Sequence, residues 1–296
     1  MRYSMNLHEQ ILECIDKYIN PLTLYEILHL KTNTSINLIS FIIKESNKTV
    51  NEAVLVFRTV VRYLWKNSGP LQEFIKENSD LICKTAIEKK AQSNLPGRAL
   101  PLFEIFEKKI QAPSISVIEL GASYGLIGRC LLNPTKVMEK KNAYFSPGQQ
   151  VPQNPRPIDY YLGIELAPPD KEWVLAGEWH PILRERIKNF LHDIPTNEKF
   201  KLLKGNAFGF SKLKTVKDIA FQPSTLVVLT SFMLYQYDDK KQKRLRDEIL
   251  KFTGGDSRHW INQDINVSSQ ECFIQFDGEK IIQLNDSTCR SWKWLK

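Results

Sequence analysis

The chain has 296 residues, of which 42% are hydrophobic and 25% are charged, and its formal net charge is +8. This is an ordinary globular composition, long enough for two modest domains or one large domain with a sizeable core. The longest apolar stretches, 36–43 and 226–234, are far too short to span a membrane. The first apolar pair, Ile11 and Leu12, is interrupted at Glu13, so we expect no signal peptide and a soluble protein.

The positive charge is spread along the chain. Residues 1–110 contain 15 basic and 12 acidic residues, and the remainder contains 26 and 21. The densest basic cluster, 240–246, is followed by Asp247 and Glu248 on a predicted helix, which favours a solvated helix face. A small-molecule partner is therefore favoured over nucleic acid.

The cysteines and histidines show no metal or disulfide pattern. The cysteines are odd in number and scattered, without a Cys-x-x-Cys pair, so we expect a reducing, cytoplasmic setting. The histidines lack paired-ligand spacing, and we predict no metal site. These residues are Cys14, Cys83, Cys130, Cys272 and Cys289, and His8, His29, His180, His192 and His259.

Residues 5–109 are predicted to be helical throughout. Thr49 with Glu52 forms a capping box before a helix over 53–65. A further helix is predicted to start at 33–35 and to continue through the apolar run 36–43. Others are predicted over 70–90 and over 99–109.

A helix-turn-helix over 22–44 is an alternative for part of this region. Its second helix, however, presents Asn37 and Ser40 among apolar side chains. A base-reading helix needs more polar and basic side chains, so core packing or dimerisation through these helices is favoured.

A strand, a tight turn and a helix are predicted over 116–129. The run Val117–Leu120 is apolar apart from Glu119 and ends at Gly121, and apolar residues then recur at helical spacing. This is the opening unit of a nucleotide-binding α/β sheet.

Glycine spacing in this turn separates two ligand classes. Counted as a dinucleotide fingerprint from Gly121, two of the three glycines are missing. Counted as acidic-x-Gly-x-Gly-x-Gly, the methyltransferase spacing, the chain offers Glu119, Gly121, Ser123 and Gly125. The Glu119 carboxylate would repel a pyrophosphate but suits S-adenosylmethionine, which has two cationic centres and no phosphate. A purely structural turn is the alternative.

The stretch 133–158 is rich in proline and is predicted to be an insertion between the first two strands. A loop of this length within a compact domain is usually functional or disordered. It would reach the cofactor edge and could form a lid that carries Tyr144 and Phe145.

Polar side chains follow the next two predicted strands. Glu165, at the end of a strand over 160–166, is the expected acceptor for ribose hydroxyls. Asn206 follows a strand over 200–203, where its side-chain oxygen could accept from the adenine amino group. His180 is a candidate acid or base, and a structural role is its alternative.

The remaining strands are predicted over 225–230 and 259–265, followed by a hairpin over 271–284 with Asp277-Gly278 at its turn. The segment after the 225–230 strand lacks the Asp/Asn-Pro-Pro-aromatic sequence of nucleobase-amine methyltransferases. We therefore expect an α/β fold, a mostly parallel Rossmann-like sheet with an antiparallel last strand.

Together these motifs resemble the class I S-adenosylmethionine-dependent methyltransferases, over roughly residues 110–290. More narrowly, they resemble an uncharacterised methyltransferase-like family, a domain of unknown function. That family has a helical N-terminal half with a Thr-Gln-Thr-Asn-x-x-Gly-Arg segment, then Glu-x-Gly-Ala-Ser-x-Gly, Gly-Ile-Asp-Leu and Gly-Asp-Ala segments. The matching stretches here are 92–98, 119–125, 163–166 and 205–207, together with Trp179, Pro181 and 292–294.

The resemblance implies a cofactor site but no particular acceptor. It implies that the turn with Asn94 and Arg98 folds over the cofactor carboxylate or the substrate, where Arg98 could pair a carboxylate; a structural salt bridge is the alternative. Tyr124, in place of the usual Ala, is expected to narrow the cofactor entrance. The predicted cofactor-binding residues are Glu119, Gly121, Ala122, Ser123, Gly125, Glu165, Leu166, Asn206, Ala207, Asn94 and Arg98.

The sequence thus predicts a helical N-terminal cap domain over 1–109 and an S-adenosylmethionine-binding domain over 110–296. The expected activity is methyl transfer, and a small-molecule acceptor is favoured over nucleic acid. The catalytic residue is unknown, with His180, Arg98 and Tyr124 as candidates. The alternatives are a non-catalytic Rossmann-like binding module, a nucleic-acid or protein methyltransferase and, given the missing glycines, a nicotinamide dehydrogenase.

Overall fold

The structure, a computed structural model, describes most of the chain. The described residues are 6–16, 30–46, 48–66, 69–89, 95–145, 148–153, 155–178, 180–221, 224–255, 257–266, 269–287 and 289–295. The chain forms two compact units. One comprises Met1–Ser93 and Asp170–Lys188, and the other comprises Asn94–Pro169 and Asn189–Lys296.

The elements follow in chain order. The helices are α1 (Leu7–Asp16), α2 (Asn33–Ser46), α3 (Val50–Trp65), α4 (Leu71–Glu77), α5 (Ser79–Glu88), α6 (Leu100–Lys109), α7 (Leu126–Leu132), α8 (Pro134–Glu139), α9 (Lys141–Tyr144), α10 (Lys171–Gly177), α11 (Pro181–Asp193), α12 (Lys214–Ala220) and α13 (Asp239–Thr253). The strands are β1 (Ile115–Leu120), β2 (Tyr160–Glu165), β3 (Phe200–Lys204), β4 (Thr225–Ser231), β5 (Arg258–Asn266), β6 (Glu271–Phe276), β7 (Glu279–Leu284) and β8 (Trp292–Trp294). Short 3-10 helices lie at Pro96–Ala99, Phe210–Lys212 and Leu234–Gln236.

The first unit is helical in its described residues, as the apolar periodicity predicts. The capping box at Thr49 is confirmed, because its hydroxyl accepts from the Glu52 amide while the Glu52 carboxylate accepts from the Thr49 amide. The predicted stretch 70–90 is interrupted at Asn78, which ends α4 and precedes α5. In α2 the buried Ile36, Ile39 and Ile42 join the core of this unit, and residues 22–29 of the helix-turn-helix alternative lie outside the described residues.

The second unit is built on an eight-stranded sheet in the order β3-β2-β1-β4-β5-β6-β7-β8. The strands from β3 to β5 are parallel to one another, and β6, β7 and β8 follow in antiparallel pairing. The predicted α/β fold with a mixed sheet is confirmed. The antiparallel part is larger than the predicted hairpin over 271–284, because it also contains β8, which carries Trp292 and Trp294.

Both faces of the parallel strands are covered, which explains their nearly continuous apolar runs. Ile118 and Leu120 of β1 lie in a buried cluster on one face. By the alternation of a strand, Val117 and Glu119 point to the opposite face. On β2, Tyr161 packs against Gly128 of α7, where a Cβ would lie 2.4 Å from three of its ring carbons.

The stretch 133–158 differs from the predicted irregular insertion. Asn133 is followed directly by α8 and α9. Pro134 does not prevent a helix here, because it occupies the first turn of α8, where a backbone amide donor is not needed. Tyr144 and Phe145, the predicted lid residues, are buried. The Tyr144 hydroxyl donates to Asp193 at 3.0 Å. The Tyr144 and Phe145 side chains are therefore packed within the unit that carries the sheet.

The two compact units divide the chain differently from the predicted cut after residue 109. The 3-10 helix Pro96–Ala99 and α6 belong to the unit that carries the sheet. Conversely, residues 170–188, which contain α10, belong to the helical unit. In that unit Trp173 of α10 packs edge-on against Tyr63 of α3, with ring centroids 5.3 Å apart.

No helix in the described ranges is both long enough and apolar enough to cross a bilayer. The five cysteines are buried thiols.

Close packing of α7 on β2 gives a direct test of the fold. In Gly128→Ala, the new Cβ would overlap the Tyr161 ring, and overpacking of this kind costs about 1–3 kcal/mol of unfolding free energy. Gly255→Ala is the matched control, because nothing lies within 4 Å of its Cβ position. Urea unfolding should show a clear loss for the first variant and little change for the second, whereas equal midpoints would contradict this packing.

Candidate functional site

The candidate site lies where the strand order of the sheet reverses. From β1 the chain proceeds to β2 on one side and later returns to place β4 on the other side of β1. In open α/β sheets, ligands bind in the crevice outside the carboxyl ends of the strands at this reversal. The turns after β1 and β4 border that crevice, and those after β2 and β3 lie beside it.

The turn after β1 has left-handed backbone at alternate positions. Gly121, Ser123 and Gly125 have φ values of 73°, 51° and 70°. These are the three positions of the methyltransferase spacing. Glycine adopts this conformation without strain, and Ser123 is a non-glycine residue held in it. The spacing therefore reflects the backbone geometry of this turn.

The amides of this turn are directed to acceptors within the protein. Those of Gly121 and Ala122 donate to the Ile164 carbonyl at 2.9 and 3.3 Å, and that of Gly125 donates to the Ala122 carbonyl at 2.8 Å. The Ser123 amide donates to Oε2 of Glu165 at 2.9 Å. The end of β2 thus accepts three of the four hydrogen bonds.

Glu165 and Asn206 are brought to adjacent turns, as the strand ends predict. The half-buried Glu165 receives the Ser123 amide, and its carbonyl accepts from the Gly205 amide at 3.0 Å. Asn206 is exposed, and its Oδ1 accepts from the Phe208 amide at 3.0 Å. Of their neighbours, Leu166 is 60% exposed and Ala207 is buried.

Glu119 is buried on the sheet face that also carries Tyr161. The Tyr161 hydroxyl donates to its Oε2 at 2.6 Å. Burial raises the pKa of Glu119 to about 8, although the Tyr161 hydrogen bond and the positive charge of Arg98 oppose the shift. At neutral pH this carboxyl is mostly protonated, so it does not carry the full charge that the sequence argument assigns to it.

Arg98 is buried in the 3-10 helix Pro96–Ala99. Its Nε donates to the Ser287 carbonyl at 3.0 Å, and its guanidinium lies 4.2 Å from the centre of the Phe232 ring. The Arg98 carbonyl accepts from Nε2 of Gln263 at 2.8 Å. Burial lowers the pKa of this guanidinium. Arg98 therefore helps to hold the turn after β4.

The remaining predicted residues are Asn94, Tyr124 and His180. Asn94 lies outside the described residues. Tyr124 is half-buried, with the Arg129 guanidinium 5.0 Å from its ring centre. His180 belongs to the helical unit, where its amide donates to Glu178 at 2.9 Å. Its buried Nδ1 has no hydrogen-bond partner among the residues that the structure describes.

Two residues after β4 were not predicted as part of the site. Phe232 is a bulky residue with a φ of 50°, and Met233 is buried against Gly121. A Cβ on Gly121 would lie 2.5 Å from Sδ of Met233. The sequence could have placed this segment at the site, because it directly follows an apolar strand. No residue type in it indicates the left-handed backbone of Phe232.

Within the described part of the chain, no group of three His, Cys, Asp or Glu side chains is arranged to hold a metal ion. Comparison of the sequence with protein-family models and with curated proteins gives no match.

The buried Glu119 gives a prediction about pH. Its folded pKa of about 8 lies above the ordinary value of 4.5, so its proton stabilises the fold below pH 4.5, and this stabilisation is lost as the pH rises towards 8. The loss is on the order of 4 kcal/mol. Glu119→Gln keeps an acceptor for Tyr161 and should therefore be more stable than the parent at pH 8. At pH 5 the difference in stability between the two proteins should be much smaller.

Chemical denaturation of both proteins between pH 5 and pH 8 measures this difference. Burial also raises the pKa of Asp264, to about 6, but Asp264 is present in both proteins, so its contribution cancels in the comparison. The assignment to Glu119 is wrong if the variant keeps the pH dependence of the parent.

Proposed function

We propose that this chain is an S-adenosylmethionine-dependent methyltransferase with a Rossmann-like class I sheet and a small-molecule acceptor. The observation that carries the proposal is the hydrogen bonding of the turn after β1. Dinucleotide sheets bind a pyrophosphate at this turn, close to backbone amides and a helix N-terminus. Here the amides of Gly121, Ala122, Ser123 and Gly125 donate within the protein. Such a turn suits a ligand without phosphate.

The acceptor groups at the neighbouring strand ends fit the same ligand. S-adenosylmethionine presents hydrogen-bond donors, namely two ribose hydroxyls, the adenine amino group and the ammonium. A carboxylate can accept about four hydrogen bonds, and two backbone amides donate to that of Glu165, Ser123 to Oε2 and Ala167 to Oε1, which leaves acceptor positions for a ligand. Asn206 adds an exposed amide on the adjacent turn. Glu165 is the expected ribose-binding residue, and Asn206 the expected adenine-binding residue.

The contribution of the protein to the reaction is chiefly orientation. When bound, the cofactor supplies a methyl carbon that an acceptor lone pair attacks while the carbon–sulfur bond breaks, which leaves a neutral thioether. Fixing both reactants in line can supply much of the acceleration. Glu165 and Asn206 would fix the adenosine end, and the turn after β1 would set the depth at which the cofactor lies.

The distribution of basic residues supports a small acceptor over nucleic acid. The cluster at 240–246 lies on α13, where Lys241 pairs with Asp238 at 2.9 Å and Lys243 pairs with Asp247 at 2.7 Å. Lysines that are paired with carboxylates on an exposed helix face present a weaker potential to a phosphate backbone than unpaired ones do.

Calorimetric titration with S-adenosylmethionine and with S-adenosylhomocysteine tests the proposal. We expect micromolar binding of both by the parent protein and no binding of a nicotinamide dinucleotide. Glu165→Ala should weaken binding by about 10–100-fold, because hydrogen bonds to a charged group contribute about 1.5–3 kcal/mol. Gly121→Val should abolish binding, since a side chain there would strain the turn.

Two further variants make the titration specific. Glu198→Ala removes an exposed carboxylate before β3, at the opposite ends of the parallel strands, and should bind like the parent. Glu165→Gln keeps an oxygen for the Ser123 amide and should bind more tightly than Glu165→Ala. A folded parent protein that binds neither cofactor form contradicts the proposal and favours a non-catalytic binding module.

A further inference from the structure

The turn after β4 contains a strained residue that is held from three sides. Phe232 has a φ of 50°, which is an outlier for a bulky side chain. Its amide donates to the Gln263 carbonyl at 2.7 Å, and its carbonyl accepts from Nε2 of Gln236 at 3.0 Å. The Arg98 guanidinium covers its ring. Such strain persists only where the surroundings fix it, and it is concentrated at functional sites.

This backbone conformation precedes Met233, whose side chain lies on the turn after β1. Measured from the position of a Cβ on Gly121, Sδ of Met233 lies at 2.5 Å, Cγ at 2.9 Å and Cβ at 3.4 Å. The Met233 side chain is only 6% exposed. A side chain from the turn after β4 therefore fills the space against the first glycine of the turn after β1, at the reversal of strand order.

We propose that Met233 controls access to the cofactor crevice and must rotate away from Gly121 for S-adenosylmethionine to bind. This inference rests on the function proposed above. Methionine suits the role, because it is unbranched, has three rotatable bonds and packs adaptably. The hydrogen bonds and the Arg98 contact that hold Phe232 also fix the backbone from which the Met233 side chain projects.

The energetic consequence is a reduced apparent affinity. If only a fraction of the molecules have Met233 rotated away, the apparent dissociation constant is the intrinsic constant divided by that fraction. Truncation of the side chain removes this cost. Because minor states commonly have populations of about 0.1–10%, Met233→Ala should bind S-adenosylhomocysteine at least about tenfold more tightly than the parent.

Met138→Ala is the matched control for this titration. Met138 is a partly buried methionine on α8 in the same unit, and its truncation should leave the affinity unchanged. If the parent binds and Met233→Ala binds equally or less tightly, the access role is wrong and Met233 is a fixed wall of the site. If neither protein binds either cofactor form while both are folded, the proposed function fails, and this inference fails with it.

A measurement without ligand tests the position of Met233 separately. The chain has four methionines, so a spectrum of protein labelled with ¹³C at the methionine methyl groups contains few signals. Loss of one signal in Met233→Ala identifies that of Met233. Gly121→Ala should shift this signal and leave that of Met138 in place, because the new Cβ would displace Sδ.

The same spectrum follows the rotation itself. Addition of S-adenosylhomocysteine to the parent protein should move the Met233 signal, whereas that of Met138 should remain. A Met233 signal that is indifferent to Gly121→Ala overturns the placement. One that responds to Gly121→Ala but not to saturating S-adenosylhomocysteine overturns the rotation.

Discussion

The left-handed backbone at Gly121, Ser123 and Gly125 is the constraint on which the candidate site depends. It directs the amides of Gly121, Ala122 and Ser123 towards the end of β2, where the Ile164 carbonyl and the Glu165 carboxylate accept them. The same geometry leaves the two glycines without room for a Cβ, since Met233 occupies the space at Gly121 and Phe200 the space at Gly125. Packing within the protein therefore explains why glycine is needed at both positions. The glycines affect a ligand only indirectly, through the shape of the turn. Four amides of the turn, those of Gly121, Ala122, Ser123 and Gly125, are used within the protein and are not directed to a phosphate.

The buried polar groups behind the turn show how the site is supported. Glu119 lies beneath the turn, and its burial is tolerable because Tyr161 donates to it and because its raised pKa keeps it mostly protonated at neutral pH. Gln263 links two elements of the same face, since its side chain accepts from the Ser231 hydroxyl at 2.8 Å and donates to the Arg98 carbonyl. These contacts hold the turns after β1 and β4 from the side opposite the apolar cluster of Ile118 and Leu120.

Much of the sheet could be predicted from the sequence, because β1 to β7 are defined by local signals: short apolar runs, glycine turns and the Asp277-Gly278 hairpin. The parts that were not predicted depend on distant residues. The short strand β8 is held by Glu104, which accepts from the indole Nε1 atoms of both Trp292 and Trp294. Pro134 indicated a break but begins a helix. In the candidate site, alternation and turn chemistry predicted Glu165 and Asn206, whereas the conformation of Phe232 depends on Arg98 and Gln263, to which no local pattern points.

The location of the backbone strain is a second argument about function, and its Phe232 part lies outside the glycine motif. Among the described residues, the other non-glycine positions with positive φ are Lys66, Gln270, Asp277 and Cys289. Lys66 ends α3, and Gln270 and Asp277 lie in the turns of the antiparallel strands, where such backbone is common. Ser123 and Phe232 instead lie at the carboxyl ends of β1 and β4, on the two sides of the strand-order reversal. Closing the sheet does not require a phenylalanine in this conformation, and glycine would adopt it without cost. The strain is therefore better explained by what the two turns bring together, which is the Met233 side chain against Gly121.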